Sequence, residues 1–232
     1  MTAESESMFL EAHRNALNCF WDQVKSHVIE WKSGYEWGGV RGQAALEERN
    51  KIERKIRMDL AGQRCLSKAT FDSVMNWGFK RDSECSEEEI NRATHFAFQR
   101  LEEDRLGEAA RELVKLRNVG ISRATKVLAL SDQNELGIYD SRSADGLSDL
   151  VNSAGRHLIP IPPSRSKKIK GDHKTKEEYC AAFESYTWVL RYLRRLAGND
   201  DSLRAAFTRI ADLEIAFFMR KRLGDPRRYS HE

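Results

Sequence analysis

Apolar residues fall at helical spacing along most of this chain. Phe9, Ala12, Ala16, Phe20, Val24, Val28 and Trp31 recur every three or four positions, and the stretch stops near Gly34. Ser86 followed by Glu89 makes a capping box, in which the serine accepts from an amide one turn on and the glutamate reaches back. Ile90, Ala93, Ala97 and Leu101 then line one face. Thr175 with Glu178 repeats the device before the clearest stripe of all: Tyr179, Ala182, Phe183, Tyr186, Val189, Leu190, Leu193 and Leu196, ended by Gly198. After Asp200, the run Leu203, Ala206, Phe207, Ile210, Leu213 and Phe217 predicts one more long helix, closed by Gly224. Shorter helices fit 44–60, 70–78, 106–116 and 122–131. No stretch alternates convincingly at period two, so the expected fold class is all-α. Three of the four prolines, Pro160, Pro162 and Pro163, sit together; the fourth is Pro226, so no helix breaker precedes residue 160.

A length of 232 residues suits one large domain or two small lobes sharing a cleft. With 40% hydrophobic and 32% charged residues, a packed core is expected rather than disorder. The longest wholly apolar stretch, Ile215 to Met219, is far too short to span a bilayer. The acidic start, Met1 to Glu6, lacks the basic and apolar regions of a signal peptide. Cys19, Cys65, Cys85 and Cys180 lie far apart without a C-x-x-C pair, which argues against a zinc ribbon, an iron–sulfur loop or a disulfide framework. These features together predict a cytoplasmic protein with reduced thiols and no membrane association.

The net charge of +3 permits an acidic partner without demanding one. Its placement says more. From Arg156 to Lys176 there are seven basic residues, Arg165, Lys167, Lys168 and Lys170 among them, against the single acid Asp172. With its prolines and Gly171 this segment is expected to be an irregular, mobile loop. It suits either a solvated linker or a stretch that touches nucleic-acid backbone. Arg220, Lys221, Arg222, Arg227 and Arg228 repeat the signal more weakly, and a helix C-terminus favours cations in any case.

The segment richest in chemistry runs from Leu113 to Leu130. A helix is expected to end at Leu116, a short turn holds Asn118 and Gly120, and a second helix starts at Ser122 as N-cap. Ala124 and Ala129 let the two helices approach. Such a turn leaves amide groups at the start of the second helix for one phosphate, with Arg117, Arg123 and Lys126 around it. An ordinary αα-hairpin in a helical core would share the spacing. Asp140 follows Ser122 by eighteen residues, just after Ile138-Tyr139. It suits the N-cap of a short helix over 141–150. A capping aspartate stays ionised and firmly aimed, as a carboxylate facing a positive transition state must be.

Leu116-x-x-Val119-Gly120-Ile121-Ser122-x-Ala124-Thr125, followed by Ile138-Tyr139-Asp140-Ser141-Arg142, resembles the helix–hairpin–helix DNA glycosylase superfamily. The resemblance is strong over about residues 113–150 and diffuse in the long flanking helices. It implies a two-lobed fold with an interlobe active site: one lobe over 42–131, with the hairpin at 113–130, and another from 1–41 plus 132–232. The family hairpin reads L-P-G-V-G, whereas Arg117-Asn118 stands here for its Pro-Gly, so Asn118 must take a left-handed turn position. Bifunctional members carry a Schiff-base lysine two positions after the last hairpin glycine. Ser122 stands there, which implies a monofunctional, hydrolytic enzyme with neither metal nor cofactor.

By that resemblance the partner is double-stranded DNA and the protein acts as a monomer. The amides of Val119, Gly120 and Ser122 hold a phosphate, and Arg117, Arg123, Lys126 and Arg142 add sequence-independent affinity. Asp140 stabilises the oxocarbenium-like sugar and orients water once the nucleotide is flipped out. Trp31, Tyr35, Trp37, Trp77 and Tyr139 are the aromatics that suit a base pocket, although aromatics at helical spacing also build cores. Trp31 to Gly39, with its three glycines, suits a wedge, a pocket wall or a plain interlobe loop. The residues leave the excised base open, as well as the choice between repair and defence against modified phage DNA. A non-catalytic DNA-binding module is the alternative.

Overall fold

In the computed structural model, which describes residues 3–164 and 169–224, the first apolar stripe forms helix in two pieces. Helix α1 (Ala3–Val24) and α2 (Val28–Ser33) are divided by a turn in which His27 N–H donates to the Val24 carbonyl at 2.9 Å. That three-residue bond tightens the last turn and ends the i to i−4 ladder. A hairpin too short to show alternation follows, β1 (Glu36–Trp37) against β2 (Val40–Arg41), with Trp37 opposite Val40. Its turn residues, Gly38 and Gly39, both take positive φ, 60° and 87°, as two-residue hairpin turns require.

Helices α3 (Gly42–Gln63), α4 (Lys68–Phe79), α5 (Glu87–Glu102), α6 (Leu106–Val114) and α7 (Ile121–Ser131) come next. The Ser86–Glu89 capping box forms as expected at the start of α5. Helix α8 (Ser141–Gly146) is short, and α9 (Lys176–Gly198) begins at the Thr175–Glu178 box.

The expected last helix is instead two. α10 (Asp201–Arg204) is capped by Asp200, and α11 (Ile210–Gly224) starts afresh. The cause is long-range: Ile210 and Ala211 donate their amides to the carbonyls of Asn134 and Gln133, at 3.0 and 3.1 Å. Those carbonyls replace the ones a continuous helix would supply. Helix takes 67% of the described residues and strand 3%, so the class is all-α.

Helix α11 is the axis of the fold. Every residue from Ile210 to Met219 is buried, as befits a helix apolar on nearly all sides. Helices α2, α8 and α9 pack against it. The approach of α8 is backbone to backbone: a Cβ on Gly146 would lie 2.0 Å from the Phe217 carbonyl oxygen. One apolar cluster extends from Leu10 to Phe217. A second, small one gathers Tyr35, Ala45, Ile215, Phe218 and Met219, with Trp31 and Trp37 against it. Among the described residues no helix is long and apolar enough to cross a membrane, and the four cysteines are unpaired.

Candidate active site

Residues 115–120 turn the chain between α6 and α7. Leu116 and Val119, both buried, pin the turn to the core, and Asn118 adopts the left-handed conformation expected of it, at φ 59°. Its side-chain amide donates to Glu84 at 2.9 Å. The cap differs from expectation. Gly120, extended at φ −95°, is the N-cap, and Ser122 lies inside the first turn of α7. Arg123 and Ala124 already donate to the Gly120 carbonyl, which makes Ser122 too late to cap.

The amides expected to hold phosphate are not equivalent. Val119 N–H donates to the Leu116 carbonyl at 3.1 Å and so serves the turn itself. Among the described residues no backbone carbonyl takes the amides of Gly120 or Ser122, and Gly120 is exposed. Arg117 is open to solvent, 3.5 Å from Glu84. Arg123 lays its guanidinium over the Phe79 ring at 4.7 Å and donates to the Asn118 carbonyl.

Lys126 departs furthest from its expected role. Helix α7 is buried from Ala124 to Leu130, so Lys126, only 2% exposed, points inward and is out of reach of a surface phosphate. Its Nζ meets Asp140 Oδ2 at 2.9 Å and lies 5.6 and 5.4 Å from the Trp37 and Phe79 ring centroids.

Asp140 does cap α8, over a shorter span than the predicted 141–150. Its Oδ1 accepts from the amides of Arg142 and Ser143 at 3.0 and 3.1 Å, and its own amide donates to Ser143 Oγ. Burial pushes the pKa of this carboxyl up; the Lys126 ammonium and the amide bonds outweigh that and hold it below the usual carboxylate range. The result is a buried anion in a fixed orientation, with one oxygen committed to the cap and the other to an ammonium. Such a pair has the chemistry to stabilise a positive centre, orient a nucleophile or present an amine.

The expected pocket aromatics divide. Trp37 stacks on Trp77 at 4.9 Å and donates from its indole to the Trp77 carbonyl at 2.8 Å, beside Lys126. Tyr35 packs edge-on against Phe218, 6.1 Å away, and the Arg142 guanidinium lies over the Phe218 ring at 5.3 Å. Trp31 stacks with His27 and carries Arg220 at 5.4 Å, on the margin of this group. Tyr139 is no pocket residue: it is fully buried between Tyr186 and Phe183, and its hydroxyl donates to the Pro160 carbonyl.

Arg165, Lys167 and Lys168 lie outside the described residues, as do Pro226, Arg227 and Arg228. Lys170 is exposed. The described flanks of the basic segment are irregular, as expected, but tethered. Ile161 and Ile169 are buried, and Asp172 Oδ2 takes the Ile161 amide at 2.7 Å and faces His157 at 3.2 Å.

Four neighbours escaped the sequence reading: Phe79, Phe218, Arg49 and Glu214. Arg49 carried a signal, because it falls on the buried stripe of α3 between Ala45 and Ile52. Comparison with protein-family models, with curated proteins and with solved structures finds no match for this chain.

Proposed function

We propose that the protein is a DNA glycosylase that hydrolyses the N-glycosidic bond of a base drawn out of the duplex. The observation that carries this reading is Asp140, a buried carboxylate kept ionised 2.9 Å from an ammonium, at the head of α8 and against α7. A binding module needs no such anion. In this reading α6, the turn and α7 act as a helix–hairpin–helix. The amides of Gly120 and Ser122, with Arg117 and Arg123, grip phosphate. The 42–131 lobe and the remainder of the chain flank the base.

The chemistry follows from charge. As the bond between C1′ and the base nitrogen breaks, its electron pair leaves with the base and the sugar becomes oxocarbenium-like. The Asp140 carboxylate stabilises that cation, and water adds to C1′ and loses a proton. Trp37, Trp77, Tyr35 and Phe218 offer faces for the base.

The position of Lys126 favours a second reading. Once its proton has passed to Asp140, the Lys126 amine can itself attack C1′. The base leaves with the bonding electron pair, the C1′–O4′ bond breaks to open the sugar and give an imine, and water later hydrolyses the imine. Release of free base from DNA, lost in Asp140→Asn, is the result expected of either route. Borohydride reduction separates them, since a DNA–protein adduct dependent on Lys126 forms only on the covalent route. Salt-dependent DNA binding without base release on any substrate would leave a non-catalytic DNA-binding module.

A further inference from the structure

A second buried ion pair lies beside the first. Arg49 Nη2 of α3 meets Glu214 Oε2 of α11 at 2.6 Å, and both side chains are sealed from solvent, at 1% and 3% exposure. Only part of the guanidinium is used. Its Nε and Nη1 are buried and make no well-formed hydrogen bond among the described residues, although the Tyr35 phenol lies close enough to interact with the guanidinium. A guanidinium cannot shed its proton, and a buried polar group left unpaired destabilises the fold. The fold therefore holds donors at this point whose hydrogen bonds are incompletely made, with Tyr35 beside them.

Their surroundings connect them to Asp140. Ala45 of the small apolar cluster is one turn before Arg49 on α3, and Ile215 follows Glu214 on α11. Trp37 packs on that cluster while its ring lies under Lys126. Gly137, three residues before Asp140, touches Glu214 so closely that a Cβ there would lie 3.1 Å from the Glu214 Cβ. Burial raises the Glu214 pKa and Arg49 opposes the rise; smaller effects of Asp140 and Lys126 reach the same carboxyl. Burial likewise pushes the Tyr35 phenol up to about 12, which keeps it a neutral O–H. Two ion pairs and an aromatic cluster thus form one neighbourhood, covered by a hairpin whose turn glycines have open space around them.

We propose that Arg49 reads the extruded base, donating from Nε and Nη1 to the O6 and N7 acceptors of a purine or to O4 of a pyrimidine, so that keto bases are selected over their amino counterparts. The inference rests on the glycosylase reading and names its substrate class: bases derived from guanine, hypoxanthine, uracil or thymine. A keto base meets these donors with acceptors. An adenine- or cytosine-like base brings an exocyclic amino group, and two donors then face each other with both left unpaired. Glu214 holds the guanidinium by one nitrogen and leaves the others for the base.

The test uses the full chain and duplexes that differ in one group: hypoxanthine against adenine, and uracil against cytosine. Base release and equilibrium binding are both measured. The expected result is a preference of about tenfold or more for the keto member of each pair, the size of one well-made set of base contacts. Arg49→Met should bring that ratio close to one. If this variant does not fold, Arg49→Met combined with Glu214→Met removes both buried charges together and serves in its place. A merely structural ion pair would lower all four substrates alike and leave the ratio unchanged, which overturns the proposal. Release without keto preference also overturns it and leaves the glycosylase standing. Keto-selective binding without release of any base supports the Arg49 site and overturns the glycosylase; absence of both overturns both.

Discussion

Replacing Asp140 by Asn tests whether the Asp140–Lys126 pair is held as two buried charges. Asparagine keeps an oxygen for the amides of Arg142 and Ser143, so the cap of α8 survives. What it removes is the anion 2.9 Å from an ammonium that is 2% exposed. The faces of Trp37 and Phe79 lie too far from Nζ, at 5.6 and 5.4 Å, to replace that charge in full. Breaking a buried pair from one side costs about 3–5 kcal/mol. At about 2–4 °C per kcal/mol for a chain of this size, Tm should fall by about 6–20 °C.

Lys126→Met combined with Asp140→Asn should recover most of that loss, because no uncompensated charge remains. Thermal melts followed by circular dichroism at pH 7 measure both variants. The pH dependence has a definite sign. The folded-state pKa of Asp140 is depressed, so its stabilisation is fully present above the unfolded carboxylate pKa, about 4, and is lost as pH falls through the lower folded value. The acid limb of stability should therefore be shallower in the double variant. An Asp140→Asn protein that melts within about 2 °C of wild type, less than 1 kcal/mol, would refute the reasoning.

Glu184 is buried with Oε1 accepting from the Gly107 amide at 2.8 Å and Oε2 unpartnered among the described residues; burial raises its pKa. A raised carboxyl loses stabilisation as pH climbs through its folded pKa, so Glu184→Gln should raise Tm by a few degrees at pH 7. The advantage should vanish near pH 4, which a pH series of melts checks. Gly146→Ala should destabilise by at least about 2 kcal/mol in urea unfolding, because its Cβ would collide with the backbone of Phe217. Gly62→Ala, in open space on α3, should instead be neutral or stabilise by up to about 1 kcal/mol. Arg117→Ala, at an exposed side chain, should weaken DNA binding equally for all sequences and lower the log–log salt slope by about 1 in titrations at several salt concentrations.

Local chemistry was legible where local groups decide the outcome. Ser86 with Glu89 and Thr175 with Glu178 start their helices as capping boxes, and Asp140 caps α8, because each device is complete within a few residues. The break before α11 was illegible, since the acceptors that end the pattern are Gln133 and Asn134, far away in sequence. The hairpin at 36–41 left only Gly38-Gly39 as a signal, its strands being too short to alternate.

At the candidate site, Asp140 and the turn before α7 stood out, but the partner of Asp140 did not. Lys126 reads as a surface cation until one notes that it interrupts an apolar run from Ala124 to Leu130, where every direction is inward. Arg49 on the stripe of α3 and Glu214 within the wholly buried stretch of α11 carry the same mark. A charge at a core position is a site signal that periodicity alone passes over.

Whether this protein removes bases from DNA through Asp140 is tested most directly by counting abasic sites. Genomic DNAs that are oxidised, alkylated, or taken from phage with modified bases would be incubated with the wild type and with Asp140→Asn at a temperature where both are folded. An aldehyde-reactive probe then reports the sites made. The expected result is sites on at least one of these DNAs with the wild type and none with the variant. No sites on any DNA, or equal numbers with both proteins, would contradict the account.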